Sequence, residues 1–513
     1  MKLRSVLEGI GAALLVLMPY YCKFLIPSNL EIYHLQLPLT SLIGGLLVDL
    51  LVYSALLTAL LLATQHLPPL IQRIVNALFA AFMFWNLVDF ANIALIHEQF
   101  HIDEWSRVWL RIPIALLILS GALACFFPLW TELFARGVRL VIAAVSFSAV
   151  WIVPQLLHIA LAHQPLQSPA LASPTGLQRS GSDRRIIWIL FDELSYHQTF
   201  DHPAPGIEVP NFNRLRDGSI SFSQLRPAGF YTDRIIPSLF LGKPIDQIRS
   251  TINGELWYRD QVQQRWFGYD PNATLFALAQ RNGWNTGIDG WFIPYCRTLA
   301  PVVNRCFWEA NLTPVELLGA SEKKSVLANA AVMPSRLLSL FSRTTTPEEG
   351  QIENYRNIMA HAETMIADKQ LQFVFIHIPV PHGPGIFDRR NHSLRPGGTY
   401  LDRLVLADDT LGVLTKEVET TSCAANTTLI VSSDHSWRIS LSRHSGEWSD
   451  EEEHASGGKF DDRPVLLIHF GDREYRRDVH EVLPEMLEHS MVAGMIQGQI
   501  KTPEDLSAFI ARQ

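Results

Sequence analysis

Charge is what this sequence has little of: Asp, Glu, Lys and Arg make up 18% of its 513 residues, against about 25% in an average soluble domain. No block of clustered Lys and Arg stands out and the net charge is −8. A polyanion-binding role therefore has no electrostatic footprint, and nucleic acid is excluded as a partner. No glycine-rich nucleotide loop and no repeat period is present, which sets aside nucleotide-binding loops and repeat arrays.

Apolar residues are what it has in excess, at 48% of the chain with a mean hydropathy of +0.12, the signature of a membrane protein. The excess sits in the first third. Five runs there reach the about 20 residues a helix needs to cross a bilayer: roughly Val6–Ile26, Leu39–Leu62, Ile74–Ile96, Trp109–Leu129 and Leu140–Leu161. The first is longer than a signal-peptide core and lacks a small-residue cleavage site, so it is expected to be retained. Lys2 and Arg4 precede it, Arg73 lies between the second and third runs, and Arg136 and Arg139 lie between the fourth and fifth. Ser28–Gln36 has no Lys or Arg, and the loop around His97–Trp105 is acidic, with Arg107 at its edge. Basic residues on alternate loops predict a cytoplasmic N-terminus and place everything after Ala162 outside. Asp49 and Asp89 fall inside the second and third runs. Charges at that depth either line a wet lipid or acceptor path or bond helix to helix, and both readings stay open.

Residues 164–184 are rich in Pro, Ser, Gly and Gln without apolar periodicity, a linker composition. The expected organisation is a transmembrane domain over 1–163, this linker, and an exported domain over 185–513. In the last, strand candidates Ile186–Phe191, Ser219–Phe222, Asn285–Ile288, Phe373–His377, Thr428–Ser432 and Pro464–Phe470 alternate with helix candidates Asn211–Arg216, Ala273–Arg281, Glu353–Asp368, Tyr400–Thr421 and Arg477–Ser490. Continuous apolar runs such as IIWILF suit strands buried on both faces. The predicted fold is a mostly parallel central sheet covered by helices, following a five-helix transmembrane bundle. Cys22 and Cys125 lie in the membrane runs. Cys296 and Cys306 are close together on the exported side, where disulfides persist, and are expected to pair, leaving Cys423 free.

In parallel α/β sheets, ligands bind beyond the carboxyl ends of the strands. Three such ends carry chemistry: Asp192 and Glu193 after IIWILF, Asp434 and His435 after TTLIVSS, and His382 in PVPHGP after the strand ending at His377. Each alone reads equally well as a turn or capping residue. Together, carboxylates and imidazoles at one sheet edge make a site for zinc or a similar divalent ion. The segment Phe230–Leu239 adds a hydroxyl, Thr232, ahead of Pro237, which suits the first turn of a helix. A hydroxyl at a helix N-terminus is well placed to hold phosphate, and a neighbouring cation would make it a nucleophile. Arg234, Lys243 and Arg438 either neutralise a phosphate or are solvated surface charges.

The ordered set LFDE, NFNRLR, T-x-x-x-x-P-S-L-x-L-G, PHGP and SSDH resembles the alkaline phosphatase/sulfatase superfamily. With a five-span anchor ahead of it, the chain is similar to the bacterial envelope phosphoethanolamine transferases and lipoteichoic acid synthases. That resemblance implies a divalent metal, zinc first and manganese as the alternative, held by Asp192, Thr232, Asp434 and His435. It implies Thr232 as the phosphorylated nucleophile, and His382 on a second metal or the substrate phosphate. It also implies a last histidine after the SDH motif, for which His454 is preferred over His444, and it leaves Glu193 as an alternative to Asp192. Sulfatases carry their modified Cys or Ser where this chain has Ile235, and many of the transferases read SDHGE where this chain reads SDHSW.

The implied activity is transfer of a phospho-headgroup from a membrane phospholipid to an envelope lipid or glycan, at the outer face of the bacterial cytoplasmic membrane. Two further readings accompany it: a phosphodiesterase or phosphatase with water as acceptor, and a non-catalytic envelope sensor or scaffold.

Overall fold

The computed structural model describes residues 2–25, 39–96, 115–116, 119–120, 122–123, 125–161, 183–251, 255–309, 325–330, 346–443, 448–458, 460–471 and 473–513. The loops expected at 28–36 and 97–105, nearly all of the expected linker and the candidate His444 lie outside them. The chain forms two compact units. One comprises Met1–Ile32, Gln36–His163 and Thr313–Thr344; the other comprises Tyr33–Leu35, Gln164–Leu312 and Thr345–Gln513.

The first unit is helical: α1 (Lys2–Leu25), α2 (Thr40–Thr64), α3 (Pro69–Ile96), α4 (Pro128–Val145) and α5 (Ala149–Leu161). Among the described residues, three segments are long and apolar enough to cross a membrane: Thr40–Thr64, Pro69–Val88 and Pro128–Leu161. Ala12 and Leu15 of α1, Leu61 of α2, Ala80 and Met83 of α3, and Val138 and Ile142 of α4 pack together. The helices approach so closely that a Cβ at Gly11 would collide with the Ile142 carbonyl.

The expected boundary between the fourth and fifth spans needs correction. Arg136 and Arg139 lie in no loop but inside α4, and a single 3₁₀ turn (Ser146–Ser148) joins α4 to α5. The helical segment Pro128–Leu161 has 34 residues, about 51 Å of rise, whereas the hydrocarbon core is about 30 Å thick. Its first turns can therefore carry charge beyond the apolar layer. Those charges are paired: the fully buried Glu8 meets Arg139 at 2.5 Å and Arg4 at 2.8 Å, and Glu132 meets Arg136 at 3.0 Å. About half of the expected fourth span, Trp109–Leu129, lies outside the described residues. Asp49 is buried, and among the described residues its Oδ2 has no hydrogen-bond partner; the Asp89 side chain is not described.

The second unit is built on an eight-stranded sheet. In chain order its strands are β1 (Arg185–Phe191), β2 (Ile220–Phe222), β3 (Thr286–Trp291), β4 (Arg305–Glu309), β5 (Phe373–Ile378), β6 (Thr427–Ser433), β7 (Leu466–Phe470) and β8 (Arg477–Val479). The spatial order is β8-β2-β7-β6-β1-β5-β3-β4. β6, β1, β5, β3 and β4 run parallel, while β7 is antiparallel to both neighbours.

The period of two along a strand explains the continuous apolar run of β1. Ile186, Trp188 and Leu190 enter one core, while Ile187, Ile189 and Phe191 enter the other. Helices α6 (Pro210–Asp217), α9 (Pro347–Ala367) and α10 (Tyr400–Thr420) cover the second core. Helices α7 (Thr232–Leu241), α8 (Leu275–Arg281), α11 (Leu487–Ile496) and α12 (Pro503–Ile510) cover the first.

The expected helix Arg477–Ser490 is also corrected. Arg477–Val479 is edge strand β8, Leu483 and Pro484 pair with Leu225 and Arg226, and helix begins only at Leu487. A free sheet edge offers hydrogen bonds that outweigh a weak helical period, and Pro484 would interrupt the helix in any case. Cys296 and Cys306 are joined by a disulfide with Cα atoms 5.5 Å apart.

Candidate active site

Register decides which residues meet. Phe191 at the end of β1 pairs with Ser433 of β6 on one side and Ile378 of β5 on the other. The residues that follow, Asp192, Asp434 with His435, and the loop Pro379–Pro384, therefore leave the sheet side by side. Ligand atoms of Asp192, Asp434 and His435 all lie within 4.8 Å of one another, and all three residues are buried.

The His435 ring is set for coordination. Its Nδ1 lies 3.0 Å from the Ser436 carbonyl, an oxygen that can only accept, so Nδ1 carries the proton. Nε2 then faces Asp434 Oδ2 at 3.3 Å and Asp192 Oδ1 at 3.5 Å.

Thr232 completes the group. Its hydroxyl donates to Asp434 Oδ2 at 2.6 Å and lies 3.3 Å from His435 Nε2. The local structure differs from the expectation in one respect: α7 begins at Thr232 itself, and Pro237 sits in its second turn. Ile235, Ile236, Leu239 and Phe240 are all buried in the first core. That face extends the helix toward its N-terminus, and Pro237 removes only the N–H that would have reached the Asp233 carbonyl. The first N–H groups of any helix lack intrahelical acceptors, so Thr232 sits where an oxyanion is favoured.

One member of the site was missed in the sequence: His377, in β5. It is fully buried, its Nδ1 lies 2.8 Å from the Tyr295 hydroxyl, and its Nε2 lies 3.5 Å from Asp192 Oδ2. The signal was present, since His377 is the lone polar residue in the strand FVFIHI. A histidine inside a run buried on both faces needs a partner.

Other candidates fall in distinct places. His382 is partly buried, and its backbone N–H donates to the Asp192 carbonyl at 3.1 Å. Its ring lies 5.2 Å from that of Trp291. The prolines around it follow cis peptide bonds, Val380–Pro381 and Gly383–Pro384. Glu193 does not join the grouped ligands; its carboxylate accepts from the Arg438 backbone N–H at 2.9 Å. His454 is exposed on the helix Asp450–Ser456, with Nδ1 bonded to the Asp450 carbonyl at 2.6 Å. Lys243 lies over the ring of Phe267, and Arg234 over Tyr231.

The donor set fits a divalent cation. Two carboxylates, an imidazole nitrogen and a hydroxyl are the ligands such ions take. Among the described residues Asp192 Oδ1 and His377 Nε2 lack hydrogen-bond partners although buried. Burial raises the Asp434 carboxyl above its ordinary range and the charge of Asp192 adds to this. Burial would raise Asp192 too, but the imidazoles of His382, His377 and His435 gathered around it outweigh it and hold that carboxyl low. A cation between the two acids would relieve the repulsion that splits them.

Residues 184–462, which contain Asp192, Thr232, Asp434 and His435, match the family model described as sulfatase. The chain belongs to the sulfatase family. Members of this superfamily are metal-dependent, and this sulfatase-family chain has the acidic and imidazole ligands grouped for it. No curated protein matches the sequence.

Similar solved structures include a protein of the alkaline phosphatase superfamily from Vibrio parahaemolyticus, at 15% identity over 64% of this chain and 69% of that one, with a TM-score of 0.38. A sulfatase from a Pseudoalteromonas species is 14% identical over 62% of this chain and 68% of its own, with a TM-score of 0.39. A phosphonate monoester hydrolase of Agrobacterium radiobacter is 11% identical over 61% of this chain and 74% of its own, with a TM-score of 0.36.

Proposed function

We propose that this chain is a membrane-anchored, metal-dependent transferase that moves a phospho-headgroup from a phospholipid to an envelope lipid or glycan through a phosphothreonine at Thr232. The observation that carries the reading is the placement of the Thr232 hydroxyl, 2.6 Å from Asp434 Oδ2 and 3.3 Å from His435 Nε2. Ile235, where sulfatases carry their modified residue, is instead fully buried in the core, which disfavours sulfate-ester hydrolysis.

A divalent cation held by Asp192, Asp434, His435 and Thr232 would lower the pKa of the hydroxyl and offset charge on the phosphoryl oxygens. The chain's own residues supply the rest. The Thr232 proton leaves toward Asp434 Oδ2, the acceptor it already contacts. Thr232 Oγ1 bonds to phosphorus as the bond to the lipid alcohol oxygen breaks and that oxygen takes the proton from Asp434. In the second step the acceptor oxygen bonds to phosphorus as the bond to Thr232 Oγ1 breaks, the acceptor's proton passing through Asp434 to the threonine oxygen. The three membrane-crossing candidates would hold the site near its lipid donor and raise effective concentration. In this reading the catalytic unit lies at the outer face of the bacterial cytoplasmic membrane.

Intact-mass spectrometry of the full chain, incubated with zinc or manganese and mixed bacterial phospholipids, tests the proposal. A mass gain equal to a phospho-headgroup, absent from Thr232→Ala, is expected. Turnover of the lipid with release of free headgroup and no adduct would favour water as the acceptor. Absence of both adduct and turnover from a metal-loaded protein would leave the scaffold reading.

A further inference from the structure

Glu193 and Arg438 form a second layer of the site that neither metal binding nor the nucleophile uses. Glu193 has a φ of +71°, a left-handed conformation that strains a non-glycine residue. It persists where surroundings over-determine the backbone, and here they do. The Glu193 N–H donates to Asp434 Oδ1 at 3.2 Å, and its carbonyl accepts from the Tyr400 hydroxyl at 3.0 Å. One strained residue thus ties the metal-ligand acid to the core. Its carboxylate then reaches Arg438, where Oε1 accepts from the backbone N–H at 2.9 Å and from Nε at 3.4 Å.

Arg438 is held in place from its own side as well. The preceding Trp437 is fully buried and stacked on Tyr400 with ring centroids 4.2 Å apart, so the chain at 437 is locked inward. The Arg438 guanidinium emerges next to Phe230, 5.8 Å from the ring centroid and two residues before the nucleophile. A simple counter-ion to Glu193 would present two N–H groups to the two carboxylate oxygens. Instead only Nε approaches, at 3.4 Å, and among the described residues neither Nη group donates to a protein acceptor. Four N–H donors on a largely buried, permanently charged group are left for something that is not protein. The side chain keeps 11% exposure, enough for a ligand to reach it.

We propose that Arg438 is the anion-binding arm of this site, donating from its Nη groups to a non-bridging oxygen of the phosphoryl group at Thr232, and that Glu193 positions it. This rests on the reading of Thr232 as the reacting residue. It makes a tetrahedral oxyanion with an unesterified oxygen the ligand class, since a neutral ester would leave the guanidinium unpaired.

Binding of inorganic phosphate to the metal-loaded full chain tests the proposal without requiring turnover. Calorimetry on the wild type, Arg438→Gln, Arg438→Lys and Glu193→Gln is the measurement, with metal content and thermal unfolding recorded for each. Loss of charge-assisted hydrogen bonds predicts that Arg438→Gln weakens phosphate binding about 10- to 100-fold with metal content unchanged. Arg438→Lys should recover part of the loss, and Glu193→Gln should lie between wild type and Arg438→Gln. Should Arg438→Gln prove unstable, Arg438→Lys, which keeps the charge, carries the comparison. Equal phosphate affinity in wild type and the folded Arg438 variants, or no phosphate binding by the wild type, overturns the proposal. Phosphate binding that depends on Arg438, without any Thr232 adduct on lipid, sinks the transfer reading alone.

Discussion

The Tyr295 hydroxyl lies 2.8 Å from Nδ1 of His377, and this contact turns the opposite ring nitrogen toward Asp192 Oδ2, 3.5 Å away. Both residues are fully buried. A partner that fixes an imidazole beside a metal site orients the ligand set from behind.

Tyr295→Phe removes that anchor while keeping the ring that packs against Phe240 and Phe375. It should lower metal affinity about 10-fold with little change in melting temperature, and His377→Ala should lower it further. A chelator-competition titration reads both, and unchanged affinity in the two variants would mean that His377 is a packing residue only.

Removing the metal should abolish turnover and also destabilise the fold, because Asp192 and Asp434 then repel across a buried gap. The expected loss of rate is about 10³-fold or more, reversed by adding back zinc or manganese. Asp434→Asn should lose metal outright. Melting curves of chelated and reloaded protein check the stability half. A melting temperature indifferent to metal would show that the acids are not paired through an ion.

Glu485 and Glu488 predict a separate pH dependence. Both are fully buried; burial raises both carboxyls well above their ordinary range, and the charge of Glu488 further raises Glu485. The folded chain therefore keeps protons that the unfolded chain releases. The stability is fully present below the ordinary glutamate range and is lost as pH rises toward the folded values, at about 1.4 kcal/mol per pH unit for each group. Glu488→Gln should flatten the decline in melting temperature between pH 5 and pH 8. An unaltered slope would remove these two acids from the account.

Arg185 predicts a purely structural loss. Its guanidinium donates to the carbonyls of Ile366 at 2.6 Å, Met365 at 2.8 Å, Leu371 at 2.9 Å and Asp368 at 3.1 Å, capping the C-terminal end of α9. Arg185→Ala leaves the carbonyls of the buried Met365, Ile366 and Leu371 without this donor, while Asp368 keeps the Leu371 N–H, and should cost about 3 kcal/mol, read as a lower midpoint in thermal or denaturant unfolding. Metal content at low temperature should be unchanged, because Arg185 stands at the start of the strand whose far end carries Asp192. Coincident loss of metal and fold at low temperature would contradict that separation.

Much of the α/β unit was legible because strand ends are marked in sequence. An apolar run that stops at Asp192, and another that stops at Asp434 and His435, announce both the sheet and the edge where a ligand sits. Thr232 was legible through the pattern ahead of Pro237, although the start of its helix was not. The buried face from Ile235 to Phe240 outweighed the local preference of proline for a first turn. Arg477–Val479 misled for a related reason: whether a short polar segment becomes strand or helix depends on a free sheet edge, which is a non-local fact. In the helical unit, Arg136 and Arg139 read as a loop because charges interrupt an apolar run. A helix can carry charge past the apolar layer when it is long enough and when Glu8 and Glu132 are there to pair with it.

By itself, the sequence determined that the chain has an apolar helical part and an α/β part, and which acids, imidazoles and hydroxyl could gather at one sheet edge. Those properties follow from periodicity and residue chemistry, which act locally. Only the tertiary structure decided that His377 reaches Asp192, that Glu193 turns from the metal ligands to Arg438, and that His454 stands exposed on its own helix. Each of these depends on strand register and on the direction a side chain takes from a particular backbone angle. Contacts between residues tens or hundreds of positions apart set both.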